Sequence, residues 1–113
     1  MGELQVQVRQ EPNAVVAGFS GDASVDHIDE LEDQLRLLLE FPPGTMVFEL
    51  SGVTYISSIG ISALIRFQNQ LVANGSKLKL AALGPKVAEA FRSAKLDKVF
   101  EIHPSLADAL AAP

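Results

Sequence analysis

The sequence predicts an α/β fold, a single domain over residues 1–113 with a small mixed β-sheet flanked by helices, in the order β-β-α-β-α-β-α-β-α. Three observations carry this. Apolar–polar alternation near the N-terminus gives way to helical periodicity after Asp22, and from there short apolar runs alternate with amphipathic stretches. Breaker clusters ("EPNA", "FPPG", "NGS", "GPK") fall between the segments. The chain is 48% apolar and 20% charged, which suits one packed core rather than disorder.

The elements follow in order. Leu4–Val8 ("LQVQV") alternates as a half-buried strand does. Glu11–Ala14 is turn chemistry, and Ala14–Phe19 ("AVVAGF") reads as a second strand paired with the first and ended by Ser20–Asp22. Ile28, Leu31, Leu35, Leu38 and Leu39 then sit at helical spacing, with Ser24 or Asp26 as cap and "FPPG" (Phe41–Gly44) as stop. Met46–Leu50 ("MVFEL") is the nearly continuous apolar run of a central strand.

After the connection "SGVTYISS", a helix is expected over about Ile59–Ala73. Gly60, Leu64, Phe67 and Leu71 form one stripe on it, and Ile61, Ile65 and Val72 an adjoining one. Asn74–Ser76 stops it. Leu78–Leu83 is the next strand, and Pro85 opens a third helix that buries Val87, Ala90, Phe91 and Ala94. Lys98–Ile102 is a last short strand. Pro104–Ala111 is a terminal helix in which Ser105 and Asp108 are spaced as a capping box.

Composition excludes several function classes. No cysteine is present, so disulfides, thiolate chemistry and Cys-ligated metals are ruled out. A formal charge of −5 argues against nucleic acid as a direct partner, because phosphate binding rests on clustered Lys and Arg. Met1–Arg9 has neither an apolar core nor a small-residue cleavage pattern, and Val6 stands where a myristoylation signal needs Ser or Thr. Leu35–Phe41 is too short to span a bilayer. A cytoplasmic location without membrane insertion is the expectation.

Nothing in the sequence asks for catalysis. The two histidines, His27 and His103, fall at element boundaries. No GxSxG, GxGxxG or P-loop pattern occurs. The carboxylates of Asp29–Asp33 ("DELED") fan around a helix axis instead of converging on a metal. Neither cofactor nor metal is expected, and no catalytic residue is assigned. The conspicuous polar feature is Ser57-Ser58, between a strand and an apolar helix: Ser57 or Ser58 can cap the helix, and the other is either incidental loop polarity or a site of modification.

The segment around those serines, "VFELSGVTYISSIGISALIRF" (Val47–Phe67), resembles the signature of STAS domains, particularly bacterial anti-sigma factor antagonists. That signature runs from an apolar strand through Asp-Leu-Ser-Gly-Val, an aromatic, an aliphatic and Asp-Ser-x-Gly into a helix. Glu49 takes the first Asp place, Leu50–Val53 match, Tyr55 is the aromatic, and Ser58 and Gly60 hold the Ser and Gly places. Ser57 departs from the pattern by replacing an acidic residue, and Ile59 by replacing a small one. Gly18–Leu35 and Ala94–Leu110 are similar to the family's first helix passage and its ending, so the resemblance covers nearly the whole chain.

The resemblance implies a non-enzymatic phosphoprotein that regulates transcription by partner switching. In its unphosphorylated form it binds an anti-sigma factor that is also a serine kinase, and phosphorylation releases it. Ser58 takes the modified place, with Ser57 the second candidate, and a phosphatase is a further implied partner. Asp22, Ser57, Ser58, Gly60, Ser62, Arg66 and Asn69 are the expected partner-binding residues; Ser62, Arg66 and Asn69 continue on one helix face from the Ser58 end. Two alternatives stand beside this: an accessory STAS subunit of a transporter or lipid-trafficking ABC complex that needs no phosphorylation, and a small-molecule-binding or enzymatic α/β domain.

Overall fold

Gln5–Glu11 (β1) and Ala14–Ala23 (β2) form an antiparallel hairpin in which Gln5 faces Ser20 and Glu11 faces Ala14. The computed structural model describes residues 3–113; Met1 and Gly2, on which the expectations of no leader and no myristoylation partly rest, lie outside the described residues. Both strands are longer than the sequence pattern indicates. β1 continues past Val8, and β2 does not stop at Phe19 but continues through "SGDA". Two register irregularities against the next strand, between Gly18 and Ser20 and between Gly21 and Asp22, let β2 bend and stay paired. Gly21 makes this bend with φ +106°, and a Cβ there would lie 2.0 Å from the Glu3 carbonyl oxygen.

A 3-10 turn over Val25–His27 leads into α1 (Ile28–Leu38), which buries Leu31, Leu35 and Leu38. The expected cap is corrected: neither Ser24 nor Asp26 makes a side-chain capping bond. Instead Asp22 Oδ1 accepts from the Ser24 N–H at 2.9 Å, so the turn is organised one step earlier.

The central strand β3 spans Thr45–Ile56, where the pattern indicated an end at Leu50. "SGVTYI" resembles a loop in composition because Ser51, Gly52, Thr54 and Tyr55 are exposed, while Val53 and Ile56 are buried. Pairing decides the conformation. β3 runs parallel to β2 through Ser20↔Gly52, Asp22↔Tyr55 and Ala23↔Ile56. α2 follows over Ser58–Ala73. Gly60, Ile61, Leu64, Phe67 and Leu71 are buried as expected, but Val72 is 61% exposed, on the face of α2 turned from the core. Asn74 and Gly75 (φ +84°) end the helix, and the Ser76 N–H returns to Leu71 O at 2.8 Å.

β4 is Lys77–Ala81, shorter than expected because Ala82 turns away at φ 62°. α3 (Pro85–Ser93) buries Val87 and Phe91, with Ala90 half-buried; Ala94, expected inside, is its exposed C-cap. Asp97–Phe100 is a turn, not the start of a strand, since Val99 N–H and Phe100 N–H both bond Leu96 O. The edge strand β5 is therefore only Glu101–His103. α4 (Leu106–Ala111) starts at the Ser105 cap, whose Oγ accepts from the Asp108 N–H at 3.1 Å, as its spacing predicts.

The strands lie in sequence order in one five-stranded sheet, with β2, β3, β4 and β5 parallel. The main core lies between the sheet and α1, α2 and α3, and is centred on Phe48. The Phe48 ring meets Phe19 at 4.7 Å and Phe67 at 5.2 Å. α4 alone covers part of the other face, where Ala109, Leu106 and Leu110 pack on Ala14, Val16, Val47 and Ala81. Lys79, 2% exposed on that face, donates to Ala109 O at 2.8 Å and Ala112 O at 2.7 Å, so an ammonium group satisfies carbonyls at the helix C-terminus.

Candidate functional site at the Ser57–Ser58 junction

Two parallel strands zipped to their ends deliver the serine pair. The Ala23↔Ile56 pairing is followed at once by a bond from the Ser57 N–H to Ala23 O at 3.0 Å. This seats Ser57 and Ser58 at the carboxyl ends of β2 and β3, where open parallel sheets present their loops.

The two hydroxyls have different surroundings. Ser57 is the N-cap of α2, with extended backbone (φ −82°, ψ 164°), and its Oγ accepts from the Gly60 N–H at 3.1 Å. Ser58 is the first residue inside the helix and is exposed. Capping therefore uses the Ser57 hydroxyl and leaves that of Ser58 facing solvent. At the sequence level either serine could cap. Only the position of the last β2–β3 pair settles which one does.

Gly60 is buried one turn into α2, and a Cβ would meet Ile56 Cγ1 at 3.0 Å and Ala23 O at 3.2 Å. The second of these is the carbonyl that holds the Ser57 N–H, so glycine lets the helix approach the sheet without disturbing the cap. Asp22 pairs in register with Tyr55 and, through Ser24, fixes the turn beside them. Ser62, Arg66 and Asn69 are all exposed along α2. Arg66 Nη2 donates to Glu32 Oε2 at 3.1 Å and links α2 to α1. Of the seven expected site residues, Asp22, Ser57, Ser58, Ser62, Arg66 and Asn69 fall on one end of the sheet and the helix face that continues from it, whereas Gly60 is buried against the sheet.

One feature was missed in the sequence: this end also displays large apolar side chains. Val25 is 53%, Tyr55 51% and Ile59 48% exposed. Val25 follows the β2 end, Tyr55 is one residue before the β3 end, and Ile59 directly follows Ser58. The signal that could have found them is local: three large apolar residues within two of a strand end or helix start, at places where turns are usually polar.

His27, at the N-cap position of α1, has Nδ1 buried without a hydrogen-bond partner among the described residues. His103 pairs instead with Glu101, Nε2 to Oε2 2.7 Å. Burial pushes the Glu101 carboxyl up, but the His103 hydrogen bond and the Lys77 and Lys79 charges outweigh it and hold it below the ordinary value of 4.5. Neither histidine stands beside Ser58 in a hydrogen bond. Among the described residues no three His, Asp or Glu side chains converge as metal ligands, and no helix is long and apolar enough to cross a membrane. The void in the core below this end, lined by Leu4, Phe19, Leu31, Phe48 and Ile56 among others, measures about 20 Å³, the size of a water site and not of a ligand.

Comparison with known proteins agrees with this architecture. A family model of the STAS domain matches residues 5–109. An anti-sigma factor antagonist from Mycobacterium paratuberculosis superposes with a TM-score of 0.86 at 25% identity, covering 96% of this chain and 92% of that one. The unphosphorylated anti-sigma factor antagonist SpoIIAA superposes at 0.74 with 14% identity, covering 94% and 93%. A sulfate transporter family protein from Wolinella succinogenes gives 0.74 at 19% identity, covering 91% and 86%. The last two likenesses concern the fold alone. With a family model matching almost its entire length and the expected strand and helix order in place, this chain belongs to the STAS-domain family.

Proposed function

We propose that the protein is an anti-sigma factor antagonist that binds an anti-sigma serine kinase while unphosphorylated and is released by phosphorylation of Ser58. The observation that carries this reading is the division of labour at the junction: Ser57 caps α2, and Ser58 stands exposed at its first turn. The Ser57 hydroxyl is already engaged by the Gly60 N–H. That of Ser58 faces solvent.

The departure from the family pattern at Ser57 supports the same reading. Asp and Ser are near-equivalent N-caps, so a serine that caps here does the structural work an acidic residue does at that place. Phosphorylation of Ser58 adds about −1.5 to −2 charges at the positive end of α2, where a dianion is tolerated by the helix. The effect then falls on the partner. Val25, Tyr55 and Ile59 are exposed apolar side chains at this end whose burial would drive association, and Ser58 directly precedes Ile59. A hydrated dianion there cannot be desolvated without partners, and a penalty of about 3 kcal/mol would weaken binding by about a hundredfold.

The test is incubation with ATP and a candidate anti-sigma serine kinase from the same genome, followed by mapping of the phosphopeptide. Phosphate on Ser58, lost in Ser58→Ala, is expected, together with kinase binding by the wild type that Ser58→Asp weakens. Phosphate undiminished in Ser58→Ala, or binding indifferent to Ser58→Asp, would overturn the proposal.

A further inference from the structure

The α4 side of the sheet carries a hollow that neither the helix contact nor the Ser58 end explains. Gln7, Gly18, Glu49, Ala81 and His103 stand in register as one row across all five strands. Directly paired residues share a face, and Val47, two residues before Glu49, packs under α4, so this row points to the same side. The Glu49 carboxylate, on the central strand, is thus flanked by the two smallest residue types.

Gly18 adjoins the register irregularity before Ser20, but neither a positive φ nor tight packing requires glycine there. Its φ is not positive, and a Cβ would come no closer than 3.8 Å to a neighbour, the Gln7 carbonyl oxygen. Glycine in a strand interior is the unfavourable choice when nothing demands it, and it often marks a place where something else approaches the sheet. A cleft of about 380 Å³ lies here beside Glu49, walled by Gln7, Arg9, Val16, Ser20, Ser51 and Leu106.

Glu49 is half-buried in this cleft. The carboxylates in ion pairs among the described residues are those of Glu11, Glu32, Asp33, Glu89 and Glu101, and Glu49 is not one of them. The basic groups on this side have other partners: Nε of Arg9, which lines the cleft, meets Glu11 at 2.7 Å, Lys77 Nζ the Pro113 carbonyl oxygen at 2.9 Å, Lys79 Nζ the α4 carbonyls, and His103 Nε2 Glu101 at 2.7 Å.

We infer that the cleft binds a primary ammonium or guanidinium group on a short alkyl chain, with Glu49 as its counter-ion. The stem lies over Gly18, beside Leu106. The Ser20 and Ser51 hydroxyls and the Gln7 amide oxygen accept the remaining N–H bonds. Gln7, Ser20 and Ser51 are exposed, so the cleft is open and suits one cationic tip rather than an enclosed ligand. The inference does not depend on phosphorylation of Ser58.

The experiment is an amide NMR titration of the full chain at constant ionic strength. Agmatine is the free cation, capped Gly-Lys-Gly the peptide-borne one, and tetramethylammonium the control that carries charge but no N–H. Saturable shifts at Gly18, Glu49 and Gly52 with agmatine or the peptide are expected, and the tighter of the two identifies the source. Glu49→Gln, which keeps shape and removes charge, is expected to weaken binding about tenfold or more. Gly18→Val is expected to fill the hollow and abolish it. The inference fails if neither probe saturates, if tetramethylammonium moves the same amides equally, or if a folded Glu49→Gln binds as the wild type does.

Discussion

Replacing Ser57 and Ser58 separately by alanine separates the two roles assigned to the junction. Ser57→Ala removes the Oγ that accepts from the Gly60 N–H at 3.1 Å and leaves that donor, partly buried at the helix start, without a partner. Loss of such an N-cap costs about 1 kcal/mol, within a range of about 0.5–2. Ser58→Ala removes an exposed hydroxyl that no cap uses, so its effect lies within about ±0.5 kcal/mol. Unfolding entropy near 60 °C is about 2.1 cal/mol/K per residue, or about 0.24 kcal/mol/K for 113 residues, so 1 kcal/mol moves Tm by about 4 °C. Calorimetry of the two variants is the assay: Ser57→Ala melts about 4 °C lower and Ser58→Ala within about 2 °C of the parent. The refuting result is the reverse order, or equal losses. The first would put the cap on Ser58 and the second would mean that it is shared, and in both cases Ser58 is not spare.

Three further outcomes are expected. Gly60→Ala pushes a methyl against Ile56 and the Ala23 carbonyl; the resulting overpacking costs about 1–3 kcal/mol, more than the helix-propensity gain, and shows in chemical denaturation. Lys79→Ala leaves Ala109 O and Ala112 O without their ammonium donor and should cost about 3 kcal/mol, with amide exchange accelerated first in α4. The lowered Glu101 carboxyl contributes stability that is fully present above the ordinary value of 4.5 and is lost as pH falls through its depressed folded value; Glu101→Gln should therefore flatten the decline of Tm on the acid side of pH 4.5.

Element order was legible in the sequence because periodicity changes sharply and Pro or Gly separates the segments. Element ends were less so, for reasons particular to each. "SGVTYI" is polar on the side that faces solvent, so it resembles a connection until its pairing with β2 is known. Lys98 and Val99 look like strand residues, yet the local bonds to Leu96 O curl them into a turn. Of the candidate site, Ser57-Ser58 stood out by composition. Which serine caps depended on a strand pairing between distant segments, and the exposure of Val25, Tyr55 and Ile59 depended on where elements end. Lys79 gave no local sign of being buried, because its acceptors lie on α4, thirty residues or more away in the chain.

Strand order equal to chain order also has a kinetic meaning. Each new strand adds to the edge left by its predecessor, so no strand must be inserted between two already paired, and loop closures stay as short as parallel connections allow. The hairpin of β1 and β2 is the most local pairing, and β3, the longest strand, is the first to require a crossover. Lys79 receives its acceptors only when α4 arrives. An ammonium group on the sheet without α4 would stay hydrated, so the last helix in the chain is the one that dehydrates it.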